Sequence, residues 1–459
     1  MIIKLTRYLA FFITLTLLFS CSKLITGNSS IEKMEKTPEK AINSDPVLVD
    51  ILEKKTIEKP TGKLREDLTT KKGAYNIALL LPLCVESTLD STFTNLKDLQ
   101  AITVASADFY DGVRMALDEF GRTGVKFNLH VFDVDKYNDK IDNLILKNKL
   151  REMDLVIGPF YTHQAATLSN YIQFNQIPLV LPVTSASLSE FKNPYFIKAN
   201  TPIEVDARKL ADFVHEKYNI LYRVSIVHNG TMDEIAFLNA FKKEIIDMDP
   251  LFIVDEVNIA EKGFDKIDSV SYPEIPNLVL IPSKDASFVT LAIGYIQNMG
   301  KVLNKDLKPG DEGYDELIKD EKKYNWILMG HPNWYKMNNL NFETLQKLNT
   351  HIPSSYHVNY SDPRVIEFVK RYRNKYRTEP TEFSIKGYDI SRYFIRELFL
   401  YGTRFDLFLG DDTQKALHTN FKFEPAEGDS TFNFGFSSGW HNGNSTILKF
   451  ENFELKEVH

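Results

Sequence analysis

Several stretches of this chain carry residue types that could do chemistry. Gly435-Phe436-Ser437-Ser438-Gly439 has the nucleophile-elbow spacing G-x-S-x-G. Acyl transfer from such a serine needs a strand before it, a helix after it, and an acid and a histidine downstream. The next residues are Trp440-His441-Asn442-Gly443-Asn444, which is hairpin-turn chemistry. Too little chain remains for the other triad members, so the match reads as chance. Asp133-Val134-Asp135 with Asn138 and Asp139 opens like a calcium loop. It lacks the turn glycine at the sixth position and a Glu at the twelfth. It reads instead as a solvated strand-to-helix loop with a helix cap. His163, His228 and His331 each come after an expected strand or in its adjoining loop. At the carboxyl end of a strand such a ring could donate a hydrogen bond to a ligand. There is no P-loop, no G-x-G-x-x-G, no H-E-x-x-H, no paired C-x-x-C and no evident carboxylate dyad. The expectation is a non-catalytic protein without cofactor or metal.

The chain has 459 residues with mixed charges and a formal net charge of -7. A mildly acidic balance of this kind does not suit nucleic-acid binding. The start is more specific. Lys4 and Arg7 precede an apolar run from Tyr8 to Phe19, then Ser20 and Cys21. That run is too short to span a bilayer and fits a signal-peptide core. The ending Leu18-Phe19-Ser20-Cys21 resembles the lipobox of bacterial lipoproteins, in which the chain is cut before the cysteine and the cysteine is acylated. The resemblance implies residues 1–20 as a signal peptide and Cys21 as the lipidation site, carrying palmitate among its acyl chains. Cys84 then has no partner for a disulfide. It comes just after the apolar run Ile77 to Leu83 and reads as a small buried hydrophobe. Residues 21–74 form a polar tether with Pro38, Pro46 and Pro60.

From Tyr75 onward, short apolar runs alternate with amphipathic helical patterns. Strands are expected at Asn76–Pro82, Val125–Asp133, Asp154–Gly158, Ile177–Leu181, Arg223–Val227, Phe252–Val257, Asn277–Ile281 and Asn325–Gly330. Several are continuously apolar, as parallel strands covered on both faces must be. Phe109, Val113, Leu117 and Phe120 fall on one helical stripe, and so do Val365, Phe368, Val369 and Tyr372. Thr201-Pro202-Ile203-Glu204 reads as a capping box, and Asp362-Pro363 as a cap followed by a first-turn proline. The tail from Phe421 is aromatic and turn-rich, and reads as β. Chain crossings are expected at Pro194–Pro202 and at Ile352–Tyr360. The fold class is α/β: two doubly wound parallel-sheet lobes joined by crossing strands. Lobe 1 is expected to comprise 75–202 with 350–405, and lobe 2 to comprise 203–349 with 406–459.

With these elements placed, the chain resembles the periplasmic binding protein type I group, which includes the leucine/isoleucine/valine-binding proteins. Ile77-Ala78-Leu79-Leu80-Leu81-Pro82 resembles the opening strand of that group. Phe109-Tyr110-Asp111-Gly112-Val113 resembles its first helix. Val156-Ile157-Gly158-Pro159 and Ile177-Pro178-Leu179-Val180-Leu181-Pro182 resemble the strands before its ligand loops. Gly387-Tyr388-Asp389 resembles the start of its late helix, and Phe434 to Asn444 its closing hairpin. The resemblance implies ligand contacts at Thr162, Thr184 and Ser185 in the first lobe. It implies Asp233, Ser283 and His331 in the second. No counterpart of the residues that hold an amino acid's ammonium is evident, which argues against an amino-acid ligand.

The function implied is that of a lipid-anchored extracytoplasmic solute receptor. It would capture a small polar ligand in an interlobe cleft for transport or sensing, with an importer as partner. The chain is also similar to the fold-related domain of lipoproteins that activate penicillin-binding peptidoglycan synthases, which share an opening like Ala78–Leu83. That alternative makes the protein an envelope regulator with a synthase as partner. The hydroxyl-rich loop Thr184-Ser185-Ala186-Ser187 favours the receptor. Ser22-Lys23 lacks the Asp that resembles an inner-membrane retention signal, so the expected address is the outer membrane, facing the periplasm.

Overall fold

The structure is a computed structural model. It describes residues 68–85, 101–184, 187–218, 223–273, 275–299, 323–410, 413–426 and 439–458. The expected signal peptide, Cys21, most of the tether, Ser185 and Ser437 lie outside the described residues.

In chain order the strands are β1 (Ala74–Leu81), β2 (Lys126–Asp133), β3 (Leu155–Ile157), β4 (Leu179–Leu181), β5 (Phe196–Lys198), β6 (Arg223–His228), β7 (Ile253–Asn258), β8 (Pro276–Ile281), β9 (Asn325–Gly330) and β10 (His351–Ser354). Six short ones come after them: β11 (Gln414–Lys415), β12 (Asn420–Phe421), β13 (Phe423–Pro425), β14 (Trp440–Asn442), β15 (Thr446–Glu451) and β16 (Glu454–Val458). The α-helices are α1 (Ala101–Phe120), α2 (Asp139–Leu146), α3 (Thr162–Asn175), α4 (Ile203–Lys217), α5 (Met232–Met248), α6 (Ile259–Lys262), α7 (Ala286–Asn298), α8 (Phe342–Lys347), α9 (Pro363–Tyr376) and α10 (Glu382–Tyr401). All eight expected strands are present.

The chain divides into two compact units. The first runs up to Asn200 and resumes at Val358–Gly443; the second is Thr201–His357 with Asn444–His459. Each is built on a seven-stranded sheet, and the two strand orders are the same pattern twice. The first is β2-β1-β3-β4-β5-β14-β13 and the second β7-β6-β8-β9-β10-β15-β16. The first five strands of each are parallel. This is the doubly wound order 2-1-3-4-5, whose switch points lie between β1 and β3 and between β6 and β8.

The continuous apolar runs are explained by burial on both faces. Tyr75, Ile77, Leu79 and Leu81 of β1 pack into one cluster with Phe109, Val113 and Phe120 of α1 and with Ile390, Phe394 and Leu398 of α10. The alternate residues Ala78 and Leu80 pack on the other face with Ile141, Ala165, Leu168 and Ile172 of α2 and α3. The second sheet does the same: Val227, Val279 and Leu328 face α7, while Val224, Ile226, Leu278 and Leu280 face α4 and α5. A period-2 side-chain alternation therefore exists, but both faces need apolar residues.

α1 and α10 approach closely where each carries a glycine. A Cβ on Gly387 would lie 2.1 Å from the Phe109 carbonyl oxygen, and one on Gly112 would lie 2.0 Å from that of Ser384. Beside this contact, buried Glu119 accepts from Arg371 (2.6 Å), Tyr388 (2.7 Å) and Arg392 (3.2 Å). Among the described residues no helix is long and apolar enough to cross a membrane.

Three expectations differ from what is found. The sequence pattern places residues 350–357 in the first lobe, yet β10 lies within the second sheet between β9 and β15. It places residues 406–443 in the second lobe, yet β13 and β14 extend the first sheet beside β5. The run His351–Ser354 is short and its four residues are all buried, so it looks like a crossing segment while it is a core strand. The chain passes between units just after it, at His357–Val358. The Thr201 capping box does not form: α4 begins without a side-chain cap, and Thr201 Oγ1 donates to the Asn444 carbonyl at 2.7 Å. The cap at Asp362 does form, with Pro363 in the first turn.

Candidate functional site

In a doubly wound sheet, ligand-facing groups collect at the carboxyl ends of the strands. Each unit has its own set of such ends.

In the first unit, β3 ends at Ile157 and the chain turns through Gly158 into α3. Gly158 has φ +99°, and a Cβ there would sit 2.3 Å from the Leu80 carbonyl oxygen. Only glycine lets this loop lie against the end of β1. The turn delivers Thr162 as the first residue of α3, whose start has no side-chain cap. β4 delivers Thr184, and the two hydroxyl oxygens are 2.8 Å apart. The Thr184 carbonyl accepts from Asn200 Nδ2 at 2.7 Å. Thus two of the expected residues, Thr162 and Thr184, from separate loops, do meet. Asn200 is an addition to the expected set; a lone asparagine after β5 carries no spacing signal. Tyr161 stands at the same loop, and burial, with Cys84 second, raises its phenol pKa.

Cys84 itself is half-buried at the end of β1 rather than sealed in the core. Its amide and that of Val85 donate to the two Asp133 oxygens at 2.8 and 2.9 Å. Lys140 pairs with both Asp133 and Asp135. The calcium-like stretch is therefore a β1–β2 loop tie. Among the described residues no group of three or more His, Cys, Asp or Glu is placed to hold a metal ion.

In the second unit, β6 leads into α5 through a formed capping box between Thr231 and Glu234. Glu234 Oε2 accepts the amides of Asn229 (2.9 Å) and Thr231 (3.0 Å), while its Oε1 is sealed without a partner. The Thr231-x-x-Glu234 spacing is a legible helix start and is the signal that could have found Glu234. Asp233, exposed on the first turn of α5, pairs with Lys284 in the loop after β8. The Lys284 hydrogen bond holds the Asp233 carboxyl below the usual carboxylate range. No spacing in the sequence points to Lys284, because its partner lies far away along the chain.

Ser283 is buried, and its hydroxyl accepts the Asp285 amide at 3.2 Å. Its carbonyl accepts the Trp334 indole N–H at 2.9 Å. In this geometry Ser283 serves as a turn and anchor residue. His331 comes directly after β9 and caps the short helix Pro332–Lys336, its Nδ1 accepting the Asn333 amide at 3.1 Å. Burial first, and the Lys284 ammonium second, push its pKa down to about 4. Asp233, Lys284 and His331 therefore gather at one end of the second sheet.

The other two histidines singled out from the sequence each meet a backbone group. His163 is 2.9 Å from the Lys136 carbonyl, and the His228 ring nitrogen Nδ1 accepts the Gly230 amide at 3.1 Å.

No family model and no curated protein matches this chain. Solved structures do. A protein of Rhodospirillum rubrum assigned to a branched-chain amino acid ABC transporter aligns at 14% identity and TM-score 0.60, covering 84% of this chain and 100% of that one. A branched chain amino acid ABC transporter periplasmic ligand-binding protein from Burkholderia xenovorans LB400 aligns at 11% identity and TM-score 0.54, covering 84% and 94%. An ABC transporter substrate-binding protein from Desulfitobacterium hafniense, in complex with Leu, aligns at 15% identity and TM-score 0.51, covering 84% and 100%. At such identities the likeness is one of fold, and the fold is that of the type I periplasmic binding proteins.

Proposed function

We propose that this chain is a non-catalytic solute-binding receptor of the cell envelope. The observation that carries the reading is the doubled sheet pattern, with side chains from separate loops meeting at the strand ends of each unit. Thr162 meets Thr184 in one unit, and Asp233, Lys284 and His331 gather in the other. Such an arrangement binds through pre-placed hydrogen-bonding groups and needs no bond-breaking chemistry. The fold-level neighbours are transporter binding proteins, which supports an extracytoplasmic role beside an importer. The lipobox-like Leu18–Cys21 supports a lipid anchor at Cys21, and Ser22-Lys23 supports an outer-membrane address. Two or more acyl chains on Cys21 would hold the receptor firmly, at about 0.8 kcal/mol per buried methylene.

The test is thermal unfolding across a panel of amino acids, small organic acids and amides. A ligand that binds only the folded state raises Tm. At least one compound should do so, and Thr184→Ala should weaken it about tenfold by removing one hydrogen-bonding group from a buried position. A silent panel, together with co-purification of a peptidoglycan synthase, would replace this reading with that of an envelope regulator.

A further inference from the structure

Because β1 to β5 run parallel, the loops that lead into them all lie at one end of the first sheet, opposite the end that carries Thr162 and Thr184. Those loops are rich in exposed cations. Lys71 precedes β1, Lys126 opens β2, Lys147, Lys149 and Arg151 lie between α2 and β3, and Lys192 precedes β5. None of these makes an ion pair among the described residues. The acids of this end are largely taken. Asp154 is held by Lys72 at 2.6 Å, Asp118 pairs with Lys375, and Glu190 closes the Ser187 cap, while Glu152 stays exposed. The fold itself does not require such cations. β8 holds the place of β3 in the second sheet, and Ser271-Tyr272-Pro273 before it carries none.

Two apolar side chains stand among these charges. α2 ends at Leu146, 78% exposed, and the last turn of α3 carries Phe174, 88% exposed. Both helices pack on one cluster, through Ile141 and Ile145 of α2 and Leu168 and Ile172 of α3. The Tyr171 phenol pKa is raised by burial, and the Arg151 charge offsets part of that rise, which sets Arg151 close to the turn that carries Phe174. Exposed apolar residues beside unpaired cations are the composition of a surface that meets anionic headgroups.

The N-terminal segment joins the folded chain at this same end. Thr69 Oγ1 donates to the Tyr401 carbonyl at 2.6 Å, and Lys72 reaches Asp154 just before β3. With a lipid anchor at Cys21, the bilayer is tethered to this end, and a linked second contact needs little affinity of its own.

We propose that the amino end of the first sheet is a membrane-contact surface, with Lys71, Lys147, Lys149 and Arg151 on anionic headgroups and Leu146 and Phe174 entering between them. The inference rests on the lipid-anchor part of the reading above. It turns the carboxyl-end loops of this unit, with Thr162 and Thr184, away from the bilayer.

The test is sedimentation with vesicles, using residues 21–459 with Cys21→Ser so that no acyl chain contributes. Vesicles of phosphatidylcholine with about a third phosphatidylglycerol should carry the protein down, and pure phosphatidylcholine should not. Binding should weaken as salt rises. Lys147→Glu, Lys149→Glu and Arg151→Glu together should cut the affinity at least tenfold at unchanged Tm. Lys262→Glu with Lys266→Glu, at exposed cations of the second unit, should leave the affinity unchanged. Phe174→Trp should add a blue-shifted emission over the wild type on the anionic vesicles alone. No sedimentation, a triple variant that binds like the wild type, or an equal loss in the control pair overturns the contact surface. An unshifted emission overturns the insertion of Phe174. The ligand panel is read separately, so each of these outcomes leaves the receptor reading standing.

Discussion

Single side chains in this molecule carry protonation states that solvent would not give them. Asp206, in the first turn of α4, is fully buried, and its pKa is pushed up to about 7, chiefly by burial. The Ser445 hydroxyl donates to it at 2.6 Å and offsets part of that shift, while Glu204 adds to it. A carboxyl raised in the folded state binds a proton there that the unfolded chain releases near its ordinary pKa. Its contribution is therefore present at low pH and is lost as pH rises through the folded value. Asp206→Asn removes the titration and keeps the shape. The variant should gain on the wild type by about 1.4 kcal/mol per pH unit between pH 4 and 7, then run parallel. Denaturant melts at half-unit intervals read the difference; two parallel curves across that window would contradict it. His331 and His351 act in the opposite sense. Both are pushed to about 4, mainly by burial. The unfolded chain takes up protons they refuse, so their contribution is lost as pH falls from about 6.5 toward 4.

At the scale of elements, the contact between α1 and α10 shows which force decides. In an isolated helix, replacing a glycine by alanine stabilises by about 1 kcal/mol. At Gly387 the new methyl would lie 2.1 Å from a backbone oxygen of α1, which cannot be relieved by a side-chain rotation. Overpacking of this kind costs about 1–3 kcal/mol. The net expectation for Gly387→Ala is a loss of stability, seen as a lower denaturant midpoint. A gain would mean that the two helices are not in contact in solution. The same contest between local and non-local forces decides what is legible in the chain. The strands are readable because two-sided burial writes continuous apolar runs, as in Leu79-Leu80-Leu81. The Asp362 cap is readable because its partners are local. The Thr201 box misleads because a non-local partner, Asn444, claims the hydroxyl. Site residues divide in the same way. Thr162 and Thr184 are named through the resemblance of their loops to the family's ligand loops, whereas Lys284 and Asn200 depend on pairings that only the folded chain makes. Residues 350–357 and 406–443 are assigned to the wrong sheets from sequence because a short apolar run does not say which sheet it joins.

At the scale of the whole molecule, the chain order sets a constraint on folding. The first unit is complete when the chain reaches Gly443, since β13 and β14 have by then joined its sheet. The second is not. Its sheet lacks β15, which pairs antiparallel with β10 along His351–Ser354. β15 also supplies Leu448 and Phe450 to one face of the core and Ile447 to the other, each 2% exposed or less. Losing three fully buried side chains of this size removes about 1.5–3 kcal/mol each in transfer free energy. That total is comparable to the whole stability of an ordinary domain. A chain ending at residue 443 should therefore keep the first unit and lose the second. Hydrogen exchange should leave β1 and β3 protected while β6, β8 and β9 exchange freely. Adding residues 444–459 back as a separate peptide should restore protection, because β15 and β16 pair with each other as a hairpin and need no covalent link to dock on β10. Equal protection of both units in the truncated chain would show that β15 is dispensable to the second core.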